Sequence, residues 1–63
     1  MYLSESVIED LAQAWLELHR SAAQAQIELV IAQLRRSGDV AGAAETGRIL
    51  EAVRTKQSLL SAL

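Results

Sequence analysis

Few side chains in this 63-residue sequence could do chemistry: one histidine, eight Asp and Glu, six Lys and Arg, and no cysteine. His19 could act as an acid or base only with an oriented partner and a pocket. Its charged neighbours are Glu17 and Arg20, with Ala23 one turn on, which reads as a helix-surface or boundary histidine. Glu5, Glu9 and Asp10 could hold a divalent ion, but negative charge at a helix start is also ordinary dipole compensation. A di-metal bundle site needs a Glu three residues before its His; Leu16 stands there. Without cysteine there is no thiolate nucleophile, disulfide or Cys-ligated zinc. The expectation is no catalytic residue, no metal, no cofactor and no enzyme.

The basic residues Arg35, Arg36, Arg48, Arg54 and Lys56 are those a nucleic-acid backbone would have to meet. Residues 1–37 hold five acids and three bases, residues 38–63 three of each, and the net charge is −2. A phosphate-binding surface carries a clear basic excess, so composition argues against nucleic acid. Tyr2 and Trp15 are the only aromatics for base stacking, and Trp15 falls on an apolar stripe. Glu17–Arg20, Glu45–Arg48 and Glu51–Arg54 read as i,i+3 pairs on exposed faces.

The elements that carry these residues are helical. There is no proline, strong helix formers dominate, and no period-2 alternation suggests a strand. Either Ser4, with Leu3 and Ile8 as a hydrophobic staple, or Ser6, with Glu9 in a capping box, starts the first helix. From there Ile8, Leu11, Trp15, Leu18, Ala22, Ala25, Leu29 and Ala32 form an unbroken stripe in steps of three and four. Leu16, Ala23, Ile27, Val30 and Leu34 make a second stripe beside it, so the helix is apolar over enough of its girth to have more than one neighbour.

Arg35-Arg36-Ser37-Gly38-Asp39 interrupts the pattern. The arginines suit a helix C-terminus, Gly38 a left-handed cap, and Asp39 the N-cap of the next helix. The expected fold is all-α: an antiparallel hairpin of a long helix over about 4–37 and a second over about 39–62. In that register Ala43 lies near Ala32, Leu50 near Ala25, Val53 near Ala22 and Leu60 near Trp15. Gly42 and Gly47 would then offset their helix penalty by close helix approach. Tyr2, Leu3, Val7, Ile8 and Leu11 would overhang the hairpin. Ser21 to Gln24 also matches a capping box, so a compact three-helix bundle broken near 19–21 is the alternative.

His19, Ala23, Gly38-Asp39, Gly42, Arg48-Ile49 and Glu51-Ala52-Val53 match in spacing the pattern of a group of short alphaproteobacterial helical proteins of unassigned activity, which the chain resembles over more than half its length. The group carries Gly where Arg20 stands and Trp where Thr46 stands. The first departure removes a helix breaker; the second removes a core aromatic. The resemblance implies a small all-helical protein and supplies no activity.

With 18 Leu, Ile and Val residues, one Trp and no Phe, a lone hairpin buries too little, and oligomerisation is the usual remedy when disulfides and metals are absent. The self-association core is expected at Ile8, Leu11, Trp15, Leu18, Leu29, Leu50, Val53 and Leu60, giving a homodimeric four-helix bundle. Its expected role is a non-catalytic interaction or regulatory module, partnered by itself and by a larger protein, with nucleic-acid binding as the second reading. Rop-type plasmid proteins, which bind RNA as hairpin dimers, are similar in architecture alone. The most apolar run, Ile27 to Leu34, is too short for a bilayer, and the N-terminus lacks the basic-then-apolar order of a signal peptide. The expected location is cytoplasmic.

Overall fold

A computed structural model describes residues 3–62, so Tyr2 lies outside the described residues. Within them the chain is helical and has no strand: α1 is Glu5–His19, a single 3-10 turn covers Arg20–Ala22, α2 is Ala23–Arg36 and α3 is Val40–Ala62. None of these helices is long and apolar enough to cross a membrane.

Two of the three helix boundaries follow from local chemistry. The Ser4 hydroxyl accepts the Val7 N–H at 3.4 Å, so Ser4 rather than Ser6 caps α1. The accompanying staple is present, with Ile8 buried and Leu3 packed on the core. At the other turn Gly38 sits at φ 84°. The Asp39 N–H donates to Leu34 O at 2.9 Å and the Gly38 N–H to Arg35 O at 3.1 Å, the paired bonds of a Schellman ending. Asp39 then accepts the Gly42 N–H on Oδ1 at 2.9 Å and so caps α3.

The third boundary corrects the long helix over 4–37. Arg20 takes φ 49° and ψ −122°, a conformation that turns the chain and that side chains with a Cβ resist. No side chain caps the 3-10 turn or α2, so the Ser21 capping box does not cause the break. The Gly that would have marked the turn is absent, yet the chain turns there; burial elsewhere outweighs the local preference. A continuous helix over 5–36 would be about 48 Å long, whereas the longest extent of the whole molecule is 39 Å.

With the turn in place α1 lies parallel to α3 and α2 antiparallel to it. Glu5 reaches Arg48 and Glu9 reaches Lys56, while Gln24 pairs with Gln57 and Glu28 with Arg54. This is the three-helix alternative. Residues 3–11 therefore do not overhang: α3 covers Ile8, and Leu3 is half-buried. The core comprises Ile8 and Ala12 from α1, Ala23, Ile27 and Ile31 from α2, and Ala43, Ile49, Leu50 and Val53 from α3. On α2 the buried face comprises Ala23 and Ile27 of the second stripe together with Ile31, which belongs to neither, while Ala25, Leu29 and Ala32 of the first face outward. Leu60 is exposed and lies across a groove from Leu16, and Trp15 rests against His19 with ring centroids 5.0 Å apart.

The glycine ridge has a different basis from close helix approach. A Cβ on Gly47 would meet nothing within 4 Å, whereas one on Gly42 would come within 2.8 Å of the Asp39 carboxyl carbon. Gly42 leaves room for the cap of its own helix. Gly47→Ala should therefore raise stability by about 1 kcal/mol, and Gly42→Ala should forfeit that gain by displacing Asp39. Arg20→Gly should stabilise the closed bundle by about 1–3 kcal/mol through relief of the positive φ. Urea unfolding of the three variants checks both signs; a destabilised Arg20→Gly would contradict the turn.

Candidate functional site

The residues that could do chemistry are mostly occupied in holding the bundle together. Arg48, about a third of the way along α3, is the clearest case. Its Nη1 donates to the Leu3 carbonyl at 2.7 Å and to Glu45 Oε2 at 2.9 Å, and its Nη2 to Glu5 Oε1 at 3.3 Å. The same Glu45 oxygen accepts the Leu3 N–H at 3.1 Å. Side-chain exposures of 25% for Arg48 and 20% for Glu45 place this pair against the incoming chain rather than in open solvent. The i,i+3 pair read from sequence as an exposed surface contact is a clasp on the N-terminus of α1.

Arg54 has a similar but more exposed role, reaching Glu51 at 3.0 Å, Glu28 at 3.4 Å and Gln24 at 3.4 Å. Lys56 pairs with Glu9 at 3.0 Å. Three of the five bases considered for nucleic acid therefore face carboxylates of neighbouring helices. Arg35 and Arg36 stand exposed at the end of α2 and make no ion pair among the described residues. The five do not share one open basic face.

His19 is half-buried against Trp15, and no carboxylate orients it among the described contacts. Of the acidic first turn, Glu5 and Glu9 are turned toward α3 by Arg48 and Lys56, and Asp10 is exposed. No group of three His, Asp or Glu side chains among the described residues is placed to hold a metal ion. An open groove of about 900 Å³ lies between the α1–α2 turn and the last turns of α3, lined by Leu16, Arg20, Gln24, Arg54, Gln57 and Leu60 among others. It holds amides, guanidinium groups and leucines. Ser21, Ser58 and Ser61 also line it, and no histidine or carboxylate stands among the lining residues to activate a hydroxyl.

The remaining features are apolar. Of the expected self-association core, Ile8, Leu50 and Val53 are buried within the single chain, and Trp15 is half-buried. Leu11, Leu18, Leu29 and Leu60 stay exposed, as do Val7, Val40 and Leu59. Val7, Leu11 and Leu18 lie in steps of four and seven, on one edge of α1 away from its core-facing Ile8 and Ala12. Sequence reasoning found the apolar side chains of this edge but not the clasp around Arg48, because no local pattern shows which residues the incoming N-terminus meets. Comparison with protein-family models, with curated proteins and with solved structures gave no match.

Removing the clasp should loosen α1 first. Arg48→Ala is expected to destabilise the fold by about 1–2 kcal/mol, since Glu45 and the Leu3 carbonyl lose a charged donor. Amide exchange should accelerate in α1 before α2; uniform acceleration along the chain would contradict the assignment.

Proposed function

We propose that this protein is a non-catalytic helical interaction module that works by self-association and offers its helix faces to another copy or to a larger protein in the cytoplasm. One observation carries the reading: large apolar side chains stand in helical register on the outside of a bundle with a thin core. Leu18 is 79% exposed and Leu29 58%, while three of the nine core residues are alanine. The accessible surface is 4461 Å², against roughly 4,000 Å² expected of a compact monomer of this mass. Large apolar side chains exposed in this way are characteristic of interaction sites when they cluster.

The nucleic-acid reading is not carried forward, because Arg48, Arg54 and Lys56 are engaged with carboxylates. The absence of cysteine suits a reducing compartment.

Sedimentation across a hundredfold dilution tests the proposal. The molar mass should move from one chain toward two as concentration rises. Leu18→Gln, at a position that contributes little to the monomer core, should shift that equilibrium toward one chain by about tenfold. A mass fixed at one chain throughout would contradict self-association.

A further inference from the structure

Arg20 is a base left over from the ties that hold the bundle. Arg48, Arg54 and Lys56 are paired with carboxylates. The Glu17–Arg20 pair suggested by the sequence does not form, and the Arg20 side chain makes no ion pair or hydrogen bond among the described residues. We infer that Arg20 heads a peptide-binding groove whose occupant is an acidic, leucine-bearing segment of another protein. A carboxylate of that segment sits on the Arg20 guanidinium, and an aliphatic side chain beside it fills the adjoining trough. This rests on the interaction module proposed above and names the kind of larger protein it takes.

Two concavities meet at Arg20, and Leu16, Arg20 and Leu60 line both. One is a mainly apolar trough of about 520 Å³ between the second half of α1 and the last turns of α3, to which Leu59 also contributes. Leu59 and Leu60 are 65% and 64% exposed in the single chain. The other is the groove of about 900 Å³ already described, which carries the hydroxyls of Ser21, Ser58 and Ser61 and the amides of Gln24 and Gln57. A guanidinium without a partner therefore stands where aliphatic surface meets a row of hydrogen-bonding groups.

Charge sets the sign of the ligand. No carboxylate lines the polar groove, and the one in the trough, Glu17, accepts a hydrogen bond from Gln13 at 3.3 Å. A carboxylate is the oriented, charge-assisted partner for a guanidinium. The polar groove decides between carriers of that charge. An alkyl chain with an acid head would leave the hydroxyls and amides unmatched, whereas a peptide brings an N–H and a C=O with nearly every residue. A nucleic-acid strand would find one unpaired guanidinium, no aromatic among the lining residues and a protein of net charge −2.

The site is also braced. Gln57 Nε2 donates to the Arg20 carbonyl at 3.2 Å, Gln57 Oε1 accepts from Gln24, and Gln24 Oε1 accepts from Arg54 Nε at 3.4 Å. This chain of hydrogen bonds ties the turn to α3 through the Arg20 backbone and leaves its side chain uncommitted.

An NMR titration of the full chain, at a dilution where sedimentation gives the mass of one chain, tests this with three probes at equal ionic strength. They are the end-capped peptide Gly-Asp-Leu-Leu-Asp-Gly, the same peptide with Asn for Asp, and inorganic phosphate. The Asp peptide should shift the amides of Ser21, Gln57 and Leu60 saturably, and bind about tenfold more tightly than the Asn peptide. Arg20→Gln keeps the Cβ and should weaken binding by a similar factor, and Leu60→Gln, at an exposed position, by about fivefold. Arg36→Gln, an equal loss of charge at the far end of α2, should leave binding unchanged. No saturable shift with the Asp peptide, equal affinity for the Asn peptide, or an equal effect of Arg36→Gln would overturn the site. Phosphate that shifts the same amides as tightly would overturn the peptide as its occupant. A chain that stays at the one-chain mass yet binds the peptide refutes self-association alone; a dimerising chain that does not bind refutes the groove alone.

Discussion

The reversal of the chain at Arg20 is the constraint on which the other contacts depend. It carries a backbone conformation that a residue with a Cβ adopts at a cost of about 1–3 kcal/mol. The return is the apposition of α1 and α3, which buries Ile8 and Ala12 and lets Arg48 grip the Leu3 carbonyl. If α1 were collinear with α2, none of these contacts could form within one chain. The loop at Gly38 differs in kind: glycine takes its positive φ without strain, and Asp39 caps the next helix. One turn is written into the local sequence; the other is imposed by packing.

That difference explains what could be read from the residues. The all-helical class, the turn at Gly38-Asp39, the Ser4 cap and the start of α3 all follow from local chemistry acting over four or five positions. The break after His19 does not, since its only local hints were a capping box that goes unused and a glycine position filled by Arg20. Two stripes lay side by side on residues 8–34, and periodicity alone could not say that α2 would bury Ile27 and Ile31 while Leu29 faced out. Similarly, the Glu45–Arg48 spacing was visible, but its partner Leu3 lies more than forty residues away. Of the candidate site, the apolar stripe itself was legible, and its division into covered and uncovered residues was not.

The arrangement also explains why the polar side chains look chemically idle. Cross-bundle ties use the carboxylates of α1 and α2 with the bases of α3, so charges that might have faced a substrate or a phosphate face each other. Individually such exposed pairs contribute little, about 0–1 kcal/mol; their effect here is mainly to fix how α1 lies on α3. What remains for interaction is shape and apolar area, held on either side of a turn under strain.

The central claim is that one chain by itself reverses direction at Arg20. It can be tested by the distance between nitroxide labels at Ser6→Cys and Gln33→Cys, two exposed positions, measured at a dilution where sedimentation gives the mass of one chain. Helices folded back on each other should place the labels about 20 Å apart, given the spacing of packed helices and the reach of the labels. A continuous helix would separate the two positions by about 40 Å, and that longer distance in the monomer would contradict the account.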